Sequence, residues 1–255
     1  MTLGIADWGT GGLALYNLVK QSRPDISVVY LADNSSTEHS MLSRQELEEK
    51  VRQILTTFRR LGVDHVVFAG NAASTSLSDV AVTGIKAMGV VEPTLRAMRT
   101  RRYREVGVIG GRRTILSGAY GRSLRKLRFC VLQRMSLDLS SVIENGSATD
   151  DEIHEILTAL VEPLIKSDAI VIASSPYRKV TPLLRRILPG ADVIDPAEEA
   201  VVEILKWLPP AASGVPSDVF YCTGDPSQFR ERASSLFGLN IQAQHVKLGA
   251  AELAA

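Results

Sequence analysis

Short, almost wholly apolar runs recur along the chain at 3–6 (LGIA), 27–32 (SVVYLA), 65–69 (HVVFA), 88–92 (MGVVE), 105–110 (EVGVIG), 169–173 (AIVIA), 192–195 (DVID) and 219–222 (VFYC). None alternates apolar with polar, as a strand with one wet face would. Runs of this kind suit strands buried on both faces of a parallel sheet. Amphipathic helical stretches separate them. Two carry capping-box starts, Ser43-Arg44-Gln45-Glu46 and Thr149-Asp150-Asp151-Glu152, where the first and fourth residues satisfy each other's backbone N–H groups. Ser175-Pro176 reads as a helix cap followed by proline at the first helical position. Strand–helix alternation over the whole length predicts an α/β fold with mostly parallel sheets flanked by helices.

The pattern also repeats. "VDHVVFAGN" (63–71) matches "SDAIVIASS" (167–175), and "LGIADWGTGG" (3–12) matches "VGVIGGRRTI" (106–115), at a similar offset. Two pseudo-symmetric lobes follow, 1–93 plus 210–255 and 94–209, with strand ends facing each other across a cleft. Ligands in such folds sit beyond the carboxyl ends of the strands. "PPAASGVPSD" (209–218) reads as the crossover back. A last strand, a helix and a strand are then expected to return to the first lobe.

Composition narrows the classes. With 255 residues and a formal net charge of +1, no global field favours nucleic acid or an anionic membrane. The basic run "RTRRYR" (99–104) reads as a solvated helix end, since no aromatic interleaving or RNA module accompanies it. No apolar run approaches a membrane span, and the N-terminus leads straight into a strand with no signal peptide expected. Only two cysteines occur, Cys130 and Cys222, far apart. That argues against a disulfide framework and for a reducing, cytoplasmic setting. Each is expected to be an ordinary buried thiol.

Four loops are expected at the cleft. "DWGTGG" (7–12) has glycines that permit tight turns and expose backbone N–H groups at a helix start, which suits a carboxylate or phosphate. "GNAAS" (70–74) and "SSPY" (174–177) place small polar residues at helix N-termini. "ADNSSTEHS" (32–40) adds Glu38 and His39.

These loops, in this order, resemble those of glutamate racemases in the cofactor-independent aspartate/glutamate racemase superfamily. That family opens with Asp-Ser-Gly-x-Gly-Gly, matched by Asp7-Trp8-Gly9-Thr10-Gly11-Gly12. Its Cys-Asn-Thr-Ala-Ser corresponds to Gly70-Asn71-Ala72-Ala73-Ser74. Its Gly-Cys-Thr-His-Tyr-Pro corresponds to Ala173-Ser174-Ser175-Pro176-Tyr177-Arg178. "VVEPT" (90–94), "GVIGGRRTILSGAY" (107–120), Glu144, "VIDPAEEA" (193–200) and "YCTGDPSQFRERA" (221–233) extend the likeness over nearly the whole chain. It implies two α/β lobes, no metal, no cofactor, a small carboxylate or amino-acid ligand, and a homodimer. It also implies that the two proton-transfer cysteines are replaced, by Gly70 and Ser174. A thiol can be tuned toward neutrality; a serine hydroxyl is many units too weak an acid to serve unassisted. The family's Pro-Tyr-Gly becomes Glu38-His39-Ser40, and its first-loop serine becomes Trp8, whose indole is expected to fill the volume freed at Gly70.

The candidate acid/base groups are therefore Asp7, Glu38, His39 and Ser174. The candidate substrate contacts are Trp8, Gly70, Asn71, Ala72, Thr114, Glu144, Ser175 and Tyr177. Asp7 has a plainer alternative as N-cap of the first helix; Glu38 and His39 have one as a solvated loop pair. The retained polar groups favour a repurposed enzyme, an isomerase or lyase acting on a small carboxylate or amino-acid derivative. A non-catalytic ligand- or partner-binding protein stands as the alternative, and a glutamate racemase with other bases as a third.

Overall fold

The computed structural model describes residues 1–35, 37–146, 148–210 and 215–249. Among these described residues ten strands form two sheets, and every strand pair is parallel. β1 (Thr2–Asp7), β2 (Ser27–Ala32), β3 (His65–Phe68) and β4 (Lys86–Gly89) belong to the larger sheet. β5 (Glu105–Gly110), β6 (Cys130–Met135), β7 (Ala169–Ala173) and β8 (Asp192–Ile194) make the smaller one. β9 (Val219–Cys222) and β10 (Ala243–His245) return to the larger sheet, whose order is β10-β9-β2-β1-β3-β4. The smaller sheet runs β6-β5-β7-β8. Residues 211–214 of the expected crossover lie outside the described residues.

Burial explains the unalternating sequence pattern. β1, β2 and β7 are apolar on both faces because helices cover both sides of each sheet. Leu3, Ile5, Val28 and Tyr30 of the larger sheet pack with the helices Leu13–Ser22 and Pro196–Trp207. On the other face Leu31, Val66 and Phe68 meet Leu47, Val51, Ile54 and Phe58 of the helix Arg44–Arg60. Both predicted capping boxes are present, at Ser43/Glu46 and Thr149/Glu152.

Two local expectations are corrected. The run 88–92 is not one strand: β4 ends at Gly89 and the helix Val91–Met98 takes over. A side chain at Gly89 would run into Ser74 Oγ, so the strand's end is pressed against the short helix Asn71–Ser74 that follows β3. Ser175 is not a helix cap: the short 3₁₀ turn Ser175–Val180 has Ser174 at its N-cap, without a side-chain capping bond. Among the described residues no helix is long and apolar enough to cross a membrane.

Candidate active site

The carboxyl ends of strands from both sheets converge on one cleft. Asp7 is the last residue of β1, Gly70 follows β3 by two residues, and Ser174 directly follows β7. The cleft is lined by Asp7, Trp8, Glu38, His39, Gly70, Asn71, Ala72, Thr114, Glu144, Ser174 and Ser175, among others. Eleven of the twelve sequence-predicted residues are thus brought together. Tyr177 is the exception. Its side chain is wholly buried with Ile109, Leu139 and Ile172 in the core of the smaller lobe, because the 3₁₀ turn points it inward.

Hydrogen bonds stitch the two halves together around the cleft. Ser175 donates its hydroxyl to Asp7 Oδ2 at 2.7 Å, Tyr120 donates to Asn71 Oδ1 at 2.7 Å, and Ser141 donates to Glu38 Oε2 at 2.9 Å. The other Glu38 oxygen accepts from Ser40 at 2.6 Å. Glu38 is therefore an anchored strut rather than a solvated loop residue.

Asp7 is 4% exposed, and its Oδ1 accepts from the Trp8 amide at 2.8 Å. It is not the N-cap residue of the first helix, which is Gly12, although the Gly12 amide is among the groups that favour its ionised form. Burial pushes the Asp7 carboxyl above the ordinary carboxylate range, opposed by the Ser175 hydroxyl, the Trp8 amide and the charge of His39. A side chain at Gly70 would place its first carbon 2.6 Å from Asp7 Oδ1, with no atom of Trp8 within 4 Å. The expected filling of this space by the indole is corrected: the Asp7 carboxylate stands there.

The glycine-rich first loop is also differently used than its sequence suggests. Its amides do bind a carboxylate, but the carboxylate is the protein's own. Glu144, 2% exposed, accepts from Thr10 N at 3.0 Å, Gly11 N at 2.5 Å and the Thr10 hydroxyl. At Gly9, a side-chain carbon would lie 2.9 Å from Glu144 Oε2, so only glycine permits this approach. Burial raises the Glu144 carboxyl to about 7, reinforced by the nearby charge of Asp7 and opposed by the Thr10 and Gly11 bonds. A ligand carboxylate must use other donors unless Glu144 withdraws.

On the opposite side, the Ser174 and Ser140 hydroxyls meet at 2.9 Å. Ser140, Ser141 and Thr10 were not legible as site residues from their types alone. Ser140 does lie four residues before Glu144 on one helix, and that spacing puts both on one face. Neither cysteine lines the cleft. Cys222 is buried in the larger core, where burial raises its thiol to about 11. Cys130 is exposed at the edge of the smaller sheet, not buried as expected, because among the described residues no strand pairs with the outer side of β6.

Two lobes of parallel sheet with strand ends facing one acid-lined cleft define a class of α/β proteins built in two halves. Known proteins narrow this class by similarity. No protein-family profile matches the chain. It is 29% identical over 257 residues to a glutamate racemase of Gloeobacter violaceus, covering 97% of each chain. The structure superposes on a glutamate racemase isoform of Bacillus anthracis with a TM-score of 0.88 at 25% identity, covering 97% of each chain. It matches the fold of a Francisella tularensis glutamate racemase, solved with D-glutamate, with a TM-score of 0.88 at 20% identity, over 97% of this chain and 98% of that one. The chain is thus similar over nearly its whole length to glutamate racemases, in sequence and in fold.

Proposed function

We propose that the protein binds a small amino acid or related carboxylate in this cleft and performs acid/base chemistry of the isomerase or lyase kind on it without a thiol. One observation carries the reading. Asp7, Glu38, His39 and Glu144 line the cleft, whereas both cysteines of the chain lie outside its lining. The positions that the sequence resemblance pairs with proton-transfer cysteines hold Gly70 and Ser174. Asp7 is the principal acid/base group: its raised carboxyl is better matched to proton transfer near neutrality than an ordinary aspartate. Ionised, it also suits the ammonium of an amino acid. That a fold relative is solved with D-glutamate supports the amino-acid class. A homodimer in the cytoplasm belongs to the same proposal, and light scattering reads its mass.

The test is solvent exchange. In D₂O, neither L- nor D-glutamate is expected to gain deuterium at Cα, while thermal-shift screening of amino acids and small carboxylates identifies a binder. Exchange with both enantiomers overturns the reading in favour of a glutamate racemase with other bases. A second reading, a non-catalytic ligand- or partner-binding protein, draws on Glu38 and Glu144 being engaged by the protein's own hydroxyls and amides. Asp7→Asn separates the two. It keeps the shape, and general acid/base loss lowers turnover of the identified ligand by roughly a hundredfold or more; binding without turnover supports the second reading.

A further inference from the structure

We infer that Asp33 is a positioning residue for the cleft's histidine: it holds the His39 proton on Nε2 and so makes Nδ1 the ring's acceptor. This deepens the functional reading above and rests on it. The loop bearing His39 was legible as a site; its partner was not.

Asp33 follows β2 directly, and its amide donates to the Asp7 carbonyl at 2.9 Å, fixing its backbone beside the cleft. Its side chain is fully buried. Oδ2 stands 3.0 Å from His39 Nε2 and 3.4 Å from the Lys50 ammonium, while Oδ1 accepts from the Thr223 hydroxyl at 3.1 Å. Thr223 is itself held, its amide donating to Ala32 O at 2.9 Å and its hydroxyl accepting from Ser35 N at 3.0 Å. Thr223 after β9, His39 on the loop after β2 and Lys50 on the following helix thus clamp the carboxylate. Burial would raise its proton affinity, but the bonds and charges of His39, Lys50 and Thr223 outweigh burial and keep it below the ordinary range.

An ionised carboxylate has only lone pairs to offer, so the 3.0 Å contact requires a proton on Nε2. In the neutral ring Nδ1 then carries the lone pair, and it makes no hydrogen bond to another described residue. His39 is 3% exposed and lines the same cleft as Asp7. A base whose far nitrogen is tied to a buried carboxylate has its tautomer and orientation set before ligand arrives. The arrangement supplies the cleft with a preset proton acceptor in place of a thiolate.

The test reads the ring itself. Long-range ¹H–¹⁵N correlation spectra of the ligand-free, ¹⁵N-labelled protein resolve the tautomers of its four histidines, with His39 assigned by the loss of its signals in His39→Gln. At a pH where the ring is neutral, the wild type is expected to show the Nε2–H form alone. Asp33→Asn presents either a carbonyl or an amide N–H to Nε2, and is expected to lose that single form to a mixture. Asp33→Ser, neutral and able to donate or accept, gives the same mixture if the Asn variant is too unstable to label. An Nδ1–H ring in the wild type, or a pure Nε2–H ring in the variants, overturns the positioning role. Because no ligand is present, failure to bind an amino acid overturns the functional reading alone.

Discussion

After β3 the chain passes through Gly70, where the nearest atom to an added side chain is an Asp7 carboxylate oxygen at 2.6 Å. After β7 it passes through Ser174, whose hydroxyl meets another hydroxyl, that of Ser140, at 2.9 Å. The two loops hold equivalent places in the two sheets, yet one faces a buried acid and the other a neutral pair. Asp7 and Glu144, both with raised carboxyls, are coupled by charge on the first side. At these two equivalent positions the cleft is therefore asymmetric, a carboxylate beside one loop and a hydroxyl beside the other.

The largest effect that sharpens this contrast is pH-dependent. Glu144 titrates at about 7 when folded, against an ordinary value of 4.5. Below pH 4.5 it is protonated in both states. As pH rises toward 7 the unfolded chain ionises while the folded one keeps its proton, so folding stability falls across that window. The loss is on the order of 3 kcal/mol, and Glu144→Gln removes it from the pH profile even if the variant is less stable overall. Denaturant midpoints at several pH values measure it; parallel profiles for wild type and variant would show that Glu144 does not titrate there.

Next comes the hydrogen bond across the cleft. Ser175→Ala deprives Asp7 Oδ2 of its 2.7 Å donor and is expected to cost roughly 1–3 kcal/mol, the scale for leaving a buried polar group short of its partner. Chemical denaturation gives the value, and a cost under about 0.5 kcal/mol would mean the acid side is no more demanding than the neutral side.

Gly70→Cys drives a side chain into a carboxylate held by the Trp8 amide and the Ser175 hydroxyl. Overpacking of this kind costs on the order of 1–3 kcal/mol. The cost is expected to shrink in an Asp7→Ala background and to persist in a Trp8→Ser one. The reverse pattern would make the indole, not the acid, the occupant of that space.

The smallest effect belongs to the other loop. Ser174→Ala breaks a neutral hydroxyl pair and is expected to cost about 1 kcal/mol, with Ser140→Ala adding little more because the pair is already lost. Thermal denaturation of the single and double variants decides; two fully additive losses would mean the hydroxyls act separately.

The sequence by itself determined the parallel α/β architecture, both capping boxes, the return of the last strands to the first sheet and the four loops that meet. These rest on local causes: apolar runs without alternation, a hydroxyl three residues before a carboxylate, glycines where backbones approach. It also marked Asp7, Glu38 and His39 as neighbours. Only the tertiary structure decided what each of them faces. Glu144 takes the first loop's amides, Asp7 rather than Trp8 stands against Gly70, Tyr177 turns into the core, and Asp33 backs His39. Each is a contact between residues far apart in sequence or on different elements. Its outcome depends on angstrom-scale separations between strand ends, and a one-dimensional pattern of residue types does not carry those distances.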